Sequence, residues 1–218
     1  MKTKLPSVLI SIFTALLIVA LSITLPILIR PFYYAQIDSL ELPRKTDYSA
    51  EQIKTAYDEM MDYCLGLRSE FSVGDLPFSE RGASHFTDVR ALFMLDFAII
   101  AISAISLIAI AIILKKKNIT PHRFHGRSAP FWSVVSIGSI CAVIGIACAI
   151  NFRATFRFFH YLFFIGKTNW EFDPVTDPII LLLPNEFFSA CGVLIFASIL
   201  VSCVAILLYE FLPRKKKN

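Results

Sequence analysis

Several residue types that build the sites of soluble enzymes are scarce or lack the usual spacing in this sequence. Among 218 residues there are only 8 glycines and 4 histidines. The chain contains no glycine-rich phosphate-binding loop, no Gly-x-Ser-x-Gly elbow, no His-Glu-x-x-His motif and no internal repeat. Neither phosphate binding by a glycine-rich loop nor covalent catalysis by a serine elbow is therefore indicated.

The 5 cysteines do not suggest a disulfide framework. Cys141, Cys148, Cys191 and Cys203 lie inside long apolar runs, which leaves Cys64 alone in a polar segment. A disulfide framework needs paired cysteines outside the membrane. We interpret all five as buried side chains that act as small hydrophobic groups.

Four long stretches contain few charged residues, and these stretches decide the predicted fold class. Hydrophobic residues make up 56% of the chain and the mean hydropathy is +0.65, which is outside the usual range of soluble domains. A spanning helix needs roughly 20 mostly apolar residues. We therefore predict an all-α integral membrane protein with four transmembrane helices and a mostly helical, aromatic-rich extracellular cap.

The predicted segments follow the apolar runs. Residues 5–29, 91–114, 129–150 and 186–212 are transmembrane helices 1 to 4, residues 30–90 and 151–185 are the two extracellular cap segments, and residues 115–128 are a cytosolic loop. The first run is longer than the apolar region of a signal peptide. We expect it to be an uncleaved first helix.

The distribution of basic residues predicts the orientation. Segments 1–4, 115–128 and 213–218 together hold eleven basic residues and no acidic residue, whereas residues 30–90 and 151–187 are mildly acidic. Lysine and arginine beside the spans are retained in the cytosol. We predict a multi-pass membrane protein with both termini in the cytosol. The net charge of +4 reflects this topology and does not indicate nucleic-acid binding.

The first cap segment predicts a capped amphipathic helix. Ser49 and Gln52 have the spacing of a capping box. Apolar side chains then recur at helical spacing, at Ile53, Tyr57, Met60, Met61, Cys64 and Leu67. Ser79 is a candidate N-cap for the helix that enters the membrane. His85 follows it at the predicted boundary between cap and membrane.

The second cap segment is rich in aromatic residues, which suit the interface between membrane and water. An interfacial belt does not explain why Arg153, Arg157, His160 and Phe164 share one helical face. We interpret that face as a cationic stripe surrounded by aromatic rings. His160 is thereby predicted at the same depth as His85.

Two histidines at one boundary suggest proton transfer, because imidazole exchanges protons near neutral pH. Asp88, one helical turn after His85, can orient a ring. A metal site of His85, His160 and Asp88 with Asp173 or Asp177 is an alternative, although its spacing signature is weak.

A further acidic residue, Asp96, lies inside the second predicted span, where a carboxylate is expensive. We expect it to pair with Arg90, Arg153 or Arg157.

The two histidine segments are the most distinctive parts of the sequence: ERGASHFTDVR at 80–90 and FFHYLFF at 158–164, followed by WEFDP at 170–174 and LPNEFF at 183–188. They resemble the lipoprotein intramolecular transacylase family of Gram-positive bacteria, and the resemblance extends over nearly the whole chain. It implies that the sn-2 acyl chain of a diacylglyceryl lipoprotein moves to the α-amino group of its N-terminal cysteine, which gives a lyso-form lipoprotein. It also implies two catalytic histidines, which match His85 and His160. Gly82 stands where relatives often have glutamate.

An acyl transfer within one molecule needs no enzyme nucleophile, but the attack closes an eight-membered ring, which forms reluctantly. A pocket that folds the substrate therefore helps. We assign the base role to His85, and oxyanion stabilisation and protonation of the leaving oxygen to His160.

The candidate substrate-binding residues are Arg153, Arg157, Phe156, Tyr161, Trp170 and Asp88. No metal or cofactor is expected, and the partners are diacylglyceryl lipoproteins and membrane lipids. The alternatives are a non-catalytic membrane module or lipid sensor, and a metal-dependent membrane hydrolase that uses His85 and His160.

Overall fold

The structure, a computed structural model, describes residues 4–212 and consists almost entirely of α-helices. The helices are α1 (Lys4–Leu28), α2 (Arg30–Ser39), α3 (Leu42–Thr46), α4 (Ala50–Cys64), α5 (Glu80–Lys116), α6 (Ala129–Phe163), α7 (Ile179–Leu182) and α8 (Asn185–Phe211). Across residues 4–212 there are isolated β-bridges but no strand. The predicted all-α class is therefore confirmed. Lys2 and residues 214–217, part of the basic pattern, lie outside the described residues.

Four of the helices, α1, α5, α6 and α8, are long and apolar enough to cross a membrane. Many of their large apolar side chains are exposed, as at Ile105 in α5. Exposure of such apolar surfaces is unfavourable in water and favourable in lipid. A helix also satisfies its own backbone hydrogen bonds inside the bilayer. The chain is an integral membrane protein.

Helices α5 and α6 continue beyond the predicted spans. α5 begins at Glu80 instead of residue 91, and α6 reaches Phe163 instead of residue 150. α6 is interrupted at Asn151, whose backbone is extended and whose Oδ1 accepts a hydrogen bond from the Ala154 N–H at 3.0 Å. That side chain caps the final part of α6. His85 and His160 therefore both lie on helices that also carry a span.

Contacts divide the chain into two compact units. The bundle unit comprises the residues up to Ile23, Phe97–Ile146 and the residues from Ile195, and the cap unit comprises Thr24–Asp96 and Ala147–Leu194. The core of the bundle unit consists of apolar side chains of α6 and α8 packed against α1: Val134, Ile137, Ile199 and Cys203, with Ala15, Ile18 and Val19.

Serine hydroxyls join the helices of the bundle unit. Ser133 Oγ donates to the Ser11 carbonyl at 2.7 Å, and Ser22 Oγ donates to Ser198 Oγ at 3.1 Å. Apolar burial gives little driving force between helices in lipid, so close packing and such hydrogen bonds, about 0.6 kcal/mol each, hold the bundle together.

In the cap unit, α4 confirms the predicted capping box. Ser49 Oγ accepts from the Gln52 N–H, and the Gln52 side chain accepts from the Ser49 N–H. The predicted apolar face is buried at Ile53, Tyr57, Met60, Met61 and Cys64. The prediction is wrong for Leu67, which is 71% exposed, because α4 ends at Cys64 and Gly66 turns the chain with φ +77°.

The core of the cap unit is aromatic. The Tyr33 ring of α2 stacks on the Tyr57 ring of α4 at 3.7 Å, and Phe187 of α8 packs edge-on at 5.1 Å from Tyr33. The Tyr33 hydroxyl donates to the Leu182 carbonyl of α7 at 2.9 Å. Helices α2, α4, α7 and α8 thus meet around one buried, fully hydrogen-bonded tyrosine.

The expected pairing of Asp96 with an arginine is wrong. Asp96 Oδ2 accepts a hydrogen bond from Thr24 Oγ1 of α1 at 2.6 Å, and the side chain is buried. Residue 24 is near the end of α1, and sequence spacing could not show that a neutral hydroxyl faces this carboxylate. The contact links α1 to α5 in the cap unit.

The start of α5 is held by a carboxylate from a distant part of the chain. Asp177 accepts hydrogen bonds from the Ser79 N–H at 2.8 Å and from Ser79 Oγ, and Ser79 Oγ accepts from the Gly82 N–H at 2.9 Å. Ser79 is therefore the N-cap that the sequence predicted. A Cβ atom at Gly82 would lie 2.2 Å from Asp177 Oδ1. Glycine at position 82 thus makes room for Asp177.

This crowding predicts that Gly82→Ala lowers the thermal stability of the purified protein, because the added methyl displaces Asp177 from the start of α5. Gly138→Ala is the matched control, since a Cβ at Gly138 meets nothing within 4 Å. Alanine stabilises a helix relative to glycine by about 1 kcal/mol at both positions. The difference in melting temperature between the two variants therefore reports the clash with Asp177. Equal melting temperatures for the two variants would contradict this account.

Candidate active site

His85 lies one and a half turns into α5, and its imidazole is buried in the cap unit with 5% of the residue exposed. Aromatic rings surround it: Phe164 at 4.8 Å, Phe172 at 5.4 Å and Phe86 at 5.7 Å between ring centroids. This environment disfavours the charged imidazolium, because apolar rings replace water around the nitrogens.

His160 lies near the end of α6, in the segment after Asn151, and is partly buried. Its ring packs against Phe156 at 4.5 Å and Trp170 at 4.9 Å. Its Nδ1 is 2.8 Å from the Phe156 carbonyl oxygen, one helical turn earlier. Because a carbonyl oxygen only accepts, Nδ1 carries the proton.

The cap unit brings the two histidines together. Their ring centroids are 6.0 Å apart with an angle of 28° between the ring planes, and Phe164 contacts both rings. The Nδ1 atom of His85 is buried without a hydrogen-bond partner among residues 4–212. The site therefore offers one imidazole with a fixed tautomer and one whose proton is free to be on either nitrogen.

Asp88 does not hydrogen-bond to His85, although it lies one turn away. Its Oδ1 accepts from Lys167 Nζ at 2.5 Å, and its Oδ2 accepts from Asn169 Nδ2 at 2.9 Å. The carboxylate holds the segment after α6 against α5. Asp88 thus supports the site through that segment and does not orient the His85 ring directly.

The two arginines of the predicted stripe are exposed. Among residues 4–212, neither Arg153 nor Arg157 forms a hydrogen bond or a cation–π contact with His85 or His160. Arg157 approaches Glu171 at 3.8 Å in a solvent-exposed ion pair of little energetic weight. His160 is partly buried and Phe164 is buried, whereas the two arginines are exposed, so the predicted role of the arginines in substrate binding stays a prediction.

The predicted aromatic residues lie beside the histidines, and their role as walls of a substrate pocket stays a prediction. Phe156 and Trp170 contact His160, and Tyr161 packs edge-on against Trp170 at 5.2 Å with half of its surface exposed. Phe164 and Phe172 complete the enclosure at His85. The sequence pointed to this aromatic cluster, but the spacing did not reveal that Phe164 and Phe172 contact His85.

The carboxylates of the alternative metal site have other partners. Asp177 binds Ser79 and Thr176, and Asp173 Oδ1 accepts from the Val175 N–H. Burial raises the pKa of Asp177, but the hydrogen bonds from Ser79 and Thr176 outweigh it and hold the pKa below its usual range. Within residues 4–212, no group of three or more histidine, cysteine, aspartate or glutamate side chains is placed to hold a metal ion.

The sequence did not predict the contacts of three polar residues near the histidines. Lys167 and Asn169 bind Asp88, and Arg81 donates to the Thr168 carbonyl, so the segment 167–169 is tied to α5. These residues are about 80 positions apart in sequence, and no spacing rule joins them. Only the fold shows that they meet.

Comparisons with known proteins agree on one family. The family model described as "Lipoprotein intramolecular transacylase Lit" matches residues 8–188. A crystal structure of the membrane integral lipoprotein intramolecular transacylase Lit from Bacillus cereus is 27% identical in sequence, covers 94% of each chain and superposes with a TM-score of 0.82.

Two structures of variants of that Bacillus cereus protein also match. In one a histidine is replaced by alanine, and the match is 26% identical over 94% of this chain and 92% of the other, with a TM-score of 0.76. In the second structure the histidine is replaced by arginine, and the match is 26% identical over 94% of this chain and 90% of the other, with a TM-score of 0.75. A comparison with curated protein sequences gives no match.

Proposed function

The chain belongs to the lipoprotein intramolecular transacylase family and is therefore an acyltransferase, and we propose that His85 and His160 carry out its proton transfers. In the proposed reaction, the sn-2 acyl chain of a diacylglyceryl-modified lipoprotein moves to the α-amino group of the N-terminal cysteine of the same molecule. The observation that carries the proposal is the pair of imidazoles, 6.0 Å apart inside an aromatic enclosure.

The proposal assigns no covalent role to the enzyme. All five cysteines are free, and burial raises the pKa of the Cys64 thiol to about 12, so that it is not a thiolate at neutral pH. Donor ester and acceptor amine are joined in one substrate. Positioning alone can then supply part of the roughly 7–11 kcal/mol that well-oriented intramolecular reactions gain.

The hydrogen bond of His160 favours this residue as the base. With Nδ1–H donated to the Phe156 carbonyl at 2.8 Å, the neutral ring has its lone pair on Nε2. That carbonyl also stabilises the imidazolium that forms when Nε2 takes a proton from the ammonium group. This assignment reverses the one made from the sequence, which gave the base role to His85.

His85 is then the proton donor. A buried, neutral imidazole offers one N–H to the oxyanion of the tetrahedral intermediate, and passes that proton to the departing sn-2 oxygen. Low polarity around the ring strengthens such a hydrogen bond. A general acid or base typically contributes about 10²–10⁴-fold to the rate.

The remaining candidates surround the substrate or support the site in this proposal. Phe156, Tyr161 and Trp170 provide apolar walls that fold the acyl chains back toward the amine. The exposed Arg153 and Arg157 are suited to peptide carbonyls or lipid phosphates of the surroundings and not to the oxyanion. Asp88 acts through Lys167 and Asn169.

We further propose that the cap unit faces the outside of the cell. The basic loop 115–128 and the basic residues at the two ends support this orientation. It also fits the substrate, because lipidated lipoproteins present their N-terminal cysteine on the outer side of the membrane.

Glutamine substitutions test the roles of the histidines, because an amide donates a hydrogen bond but does not exchange protons near neutral pH. We expect His160→Gln to lower lyso-lipoprotein formation by about 10²–10⁴-fold. His85→Gln keeps a hydrogen-bond donor for the oxyanion but cannot pass a proton to the leaving oxygen, so it is expected to lose activity, although less than His160→Gln. The measurement is mass spectrometry of the lipoprotein N-terminus with purified variants at matched expression.

A larger loss of activity in His85→Gln than in His160→Gln would assign the base role to His85. Near-wild-type activity of both glutamine variants and of both alanine variants would refute the proton-transfer proposal and favour a non-catalytic membrane module. Loss of activity on chelation, with recovery in Zn²⁺, would instead support the metal-dependent hydrolase.

The orientation is tested with epitope tags in protoplasts. A tag on either terminus is expected to be protected from added protease, whereas a tag inserted beside Lys45 in the cap unit is expected to be cleaved. A cytosolic protein serves as the control for intact membranes. Cleavage of the terminal tags and protection of the tag at Lys45 would place the histidines in the cytosol and contradict the proposed orientation.

A further inference from the structure

Two buried side-chain atoms of the cap unit have no hydrogen-bond partner among residues 4–212. One is Nδ1 of His85, and the other is Oδ1 of Asn169. The remaining two such atoms in the described chain are hydroxyls of Ser7 and Ser103, which belong to the bundle unit. Buried polar atoms in native proteins are nearly always paired, so an unpaired acceptor beside a proposed active site is a candidate partner for a donor group of the substrate or for water.

The orientation of the Asn169 amide follows from its neighbours. Nδ2 lies 2.9 Å from Asp88 Oδ2 and 3.4 Å from Ser84 Oγ. A carboxylate oxygen accepts hydrogen bonds, so the NH₂ group must face Asp88, and a flipped amide would place two acceptors in contact. The second carboxylate oxygen of Asp88 is taken by Lys167. The amide is thus fixed with its carbonyl oxygen directed away from Asp88.

Asn169 lies between the elements that carry the two histidines. Its partners Ser84 and Asp88 flank His85 on α5. The next residue in the chain, Trp170, packs against the His160 ring at 4.9 Å. The Asn169 side chain is therefore close to both of the elements that carry the histidines.

We propose that Asn169 Oδ1 accepts a hydrogen bond from the α-amino group of the lipoprotein's N-terminal cysteine. This inference rests on the proposed function, since it places the amine beside His160. The ammonium group is a pure donor, which is the chemistry that an unpaired carbonyl oxygen needs. Asn169 would then be the residue that recognises a free N-terminus.

The count of hydrogens on the substrate nitrogen supports a hydrogen-bond acceptor that does not act as a base. The ammonium nitrogen starts with three hydrogens and the amide product keeps one. One proton leaves through His160 to solvent before attack. As the new C–N bond forms, the bond between the acyl carbon and the sn-2 oxygen breaks, and His85 gives its proton to that oxygen. A second proton from the nitrogen then replaces the proton that His85 has lost. The third hydrogen stays on nitrogen, and an amide oxygen, which takes no proton near neutral pH, can hold it throughout.

The test measures binding of two substrate analogues to the purified full-length protein in lipid nanodiscs. Both are peptides whose first residue carries ether-linked alkyl chains on the glyceryl group, so that no acyl transfer occurs. One has the free α-amino group and the other has hydrogen in its place. The wild type is expected to bind the amino form more tightly. Asn169→Leu, which has a similar shape and no acceptor, is expected to reduce that preference by about tenfold or more.

Two further variants separate recognition of the amine from tethering of the loop. Lys167→Met breaks the ion pair with Asp88 in the same segment and should leave the preference for the amine unchanged. Asn169→Asp retains an acceptor and loses the NH₂ group that binds Asp88, so the preference should survive even if the variant is less stable. Asn169→Asp also provides the test if Asn169→Leu does not fold.

The inference is overturned if Asn169→Leu keeps the wild-type preference, if Lys167→Met loses it equally, or if Asn169→Asp abolishes it. Failure of the proposed function is a different observation. In that case the wild-type protein would give no lyso-form product from a diacyl substrate, whatever its preference among the ether analogues.

Discussion

A lipid bilayer offers no hydrogen-bond partner to the backbone, and this constraint shapes the whole molecule. Each span must be a helix that satisfies its own amides. α5 and α6 are such helices, and both continue past the predicted spans, to carry His85 and His160. The candidate catalytic groups therefore project from helices and not from loops, which suits a reaction that depends on positioning.

The stability of the site comes from polar contacts between distant segments. Asp177 binds Ser79, the N-cap of α5, and Asp88 binds Lys167 and Asn169. Each contact ties the segment after α6 to the first turns of α5, where His85 lies. Gly82 is part of the same arrangement, because the Asp177 carboxylate occupies the space that a larger side chain would fill. A larger residue at position 82 would need a different local packing.

Local patterns in the sequence predicted much of this structure. The four apolar runs, the capping box at Ser49 and the cap at Ser79 depend on neighbouring residues, and each is confirmed. The sequence did not reveal the contacts between distant segments: Thr24 binds Asp96, and Asn169 meets Asp88 only in the folded chain. Spacing along one helix cannot reveal such partners. The prediction for Leu67 failed for a local reason, because the chain turns at Gly66 after the end of α4.

The central claim is that two imidazoles move protons while the acyl chain passes directly between two groups of one substrate. A crossover experiment tests it most directly. One substrate carries deuterated acyl chains on an unlabelled peptide, the other carries ordinary chains on a ¹⁵N-labelled peptide, and the purified protein receives both. We expect mass spectrometry to show only products that keep their original pairing. Products with deuterated chains on ¹⁵N peptide would reveal an acyl-enzyme or a free acyl intermediate and contradict the account.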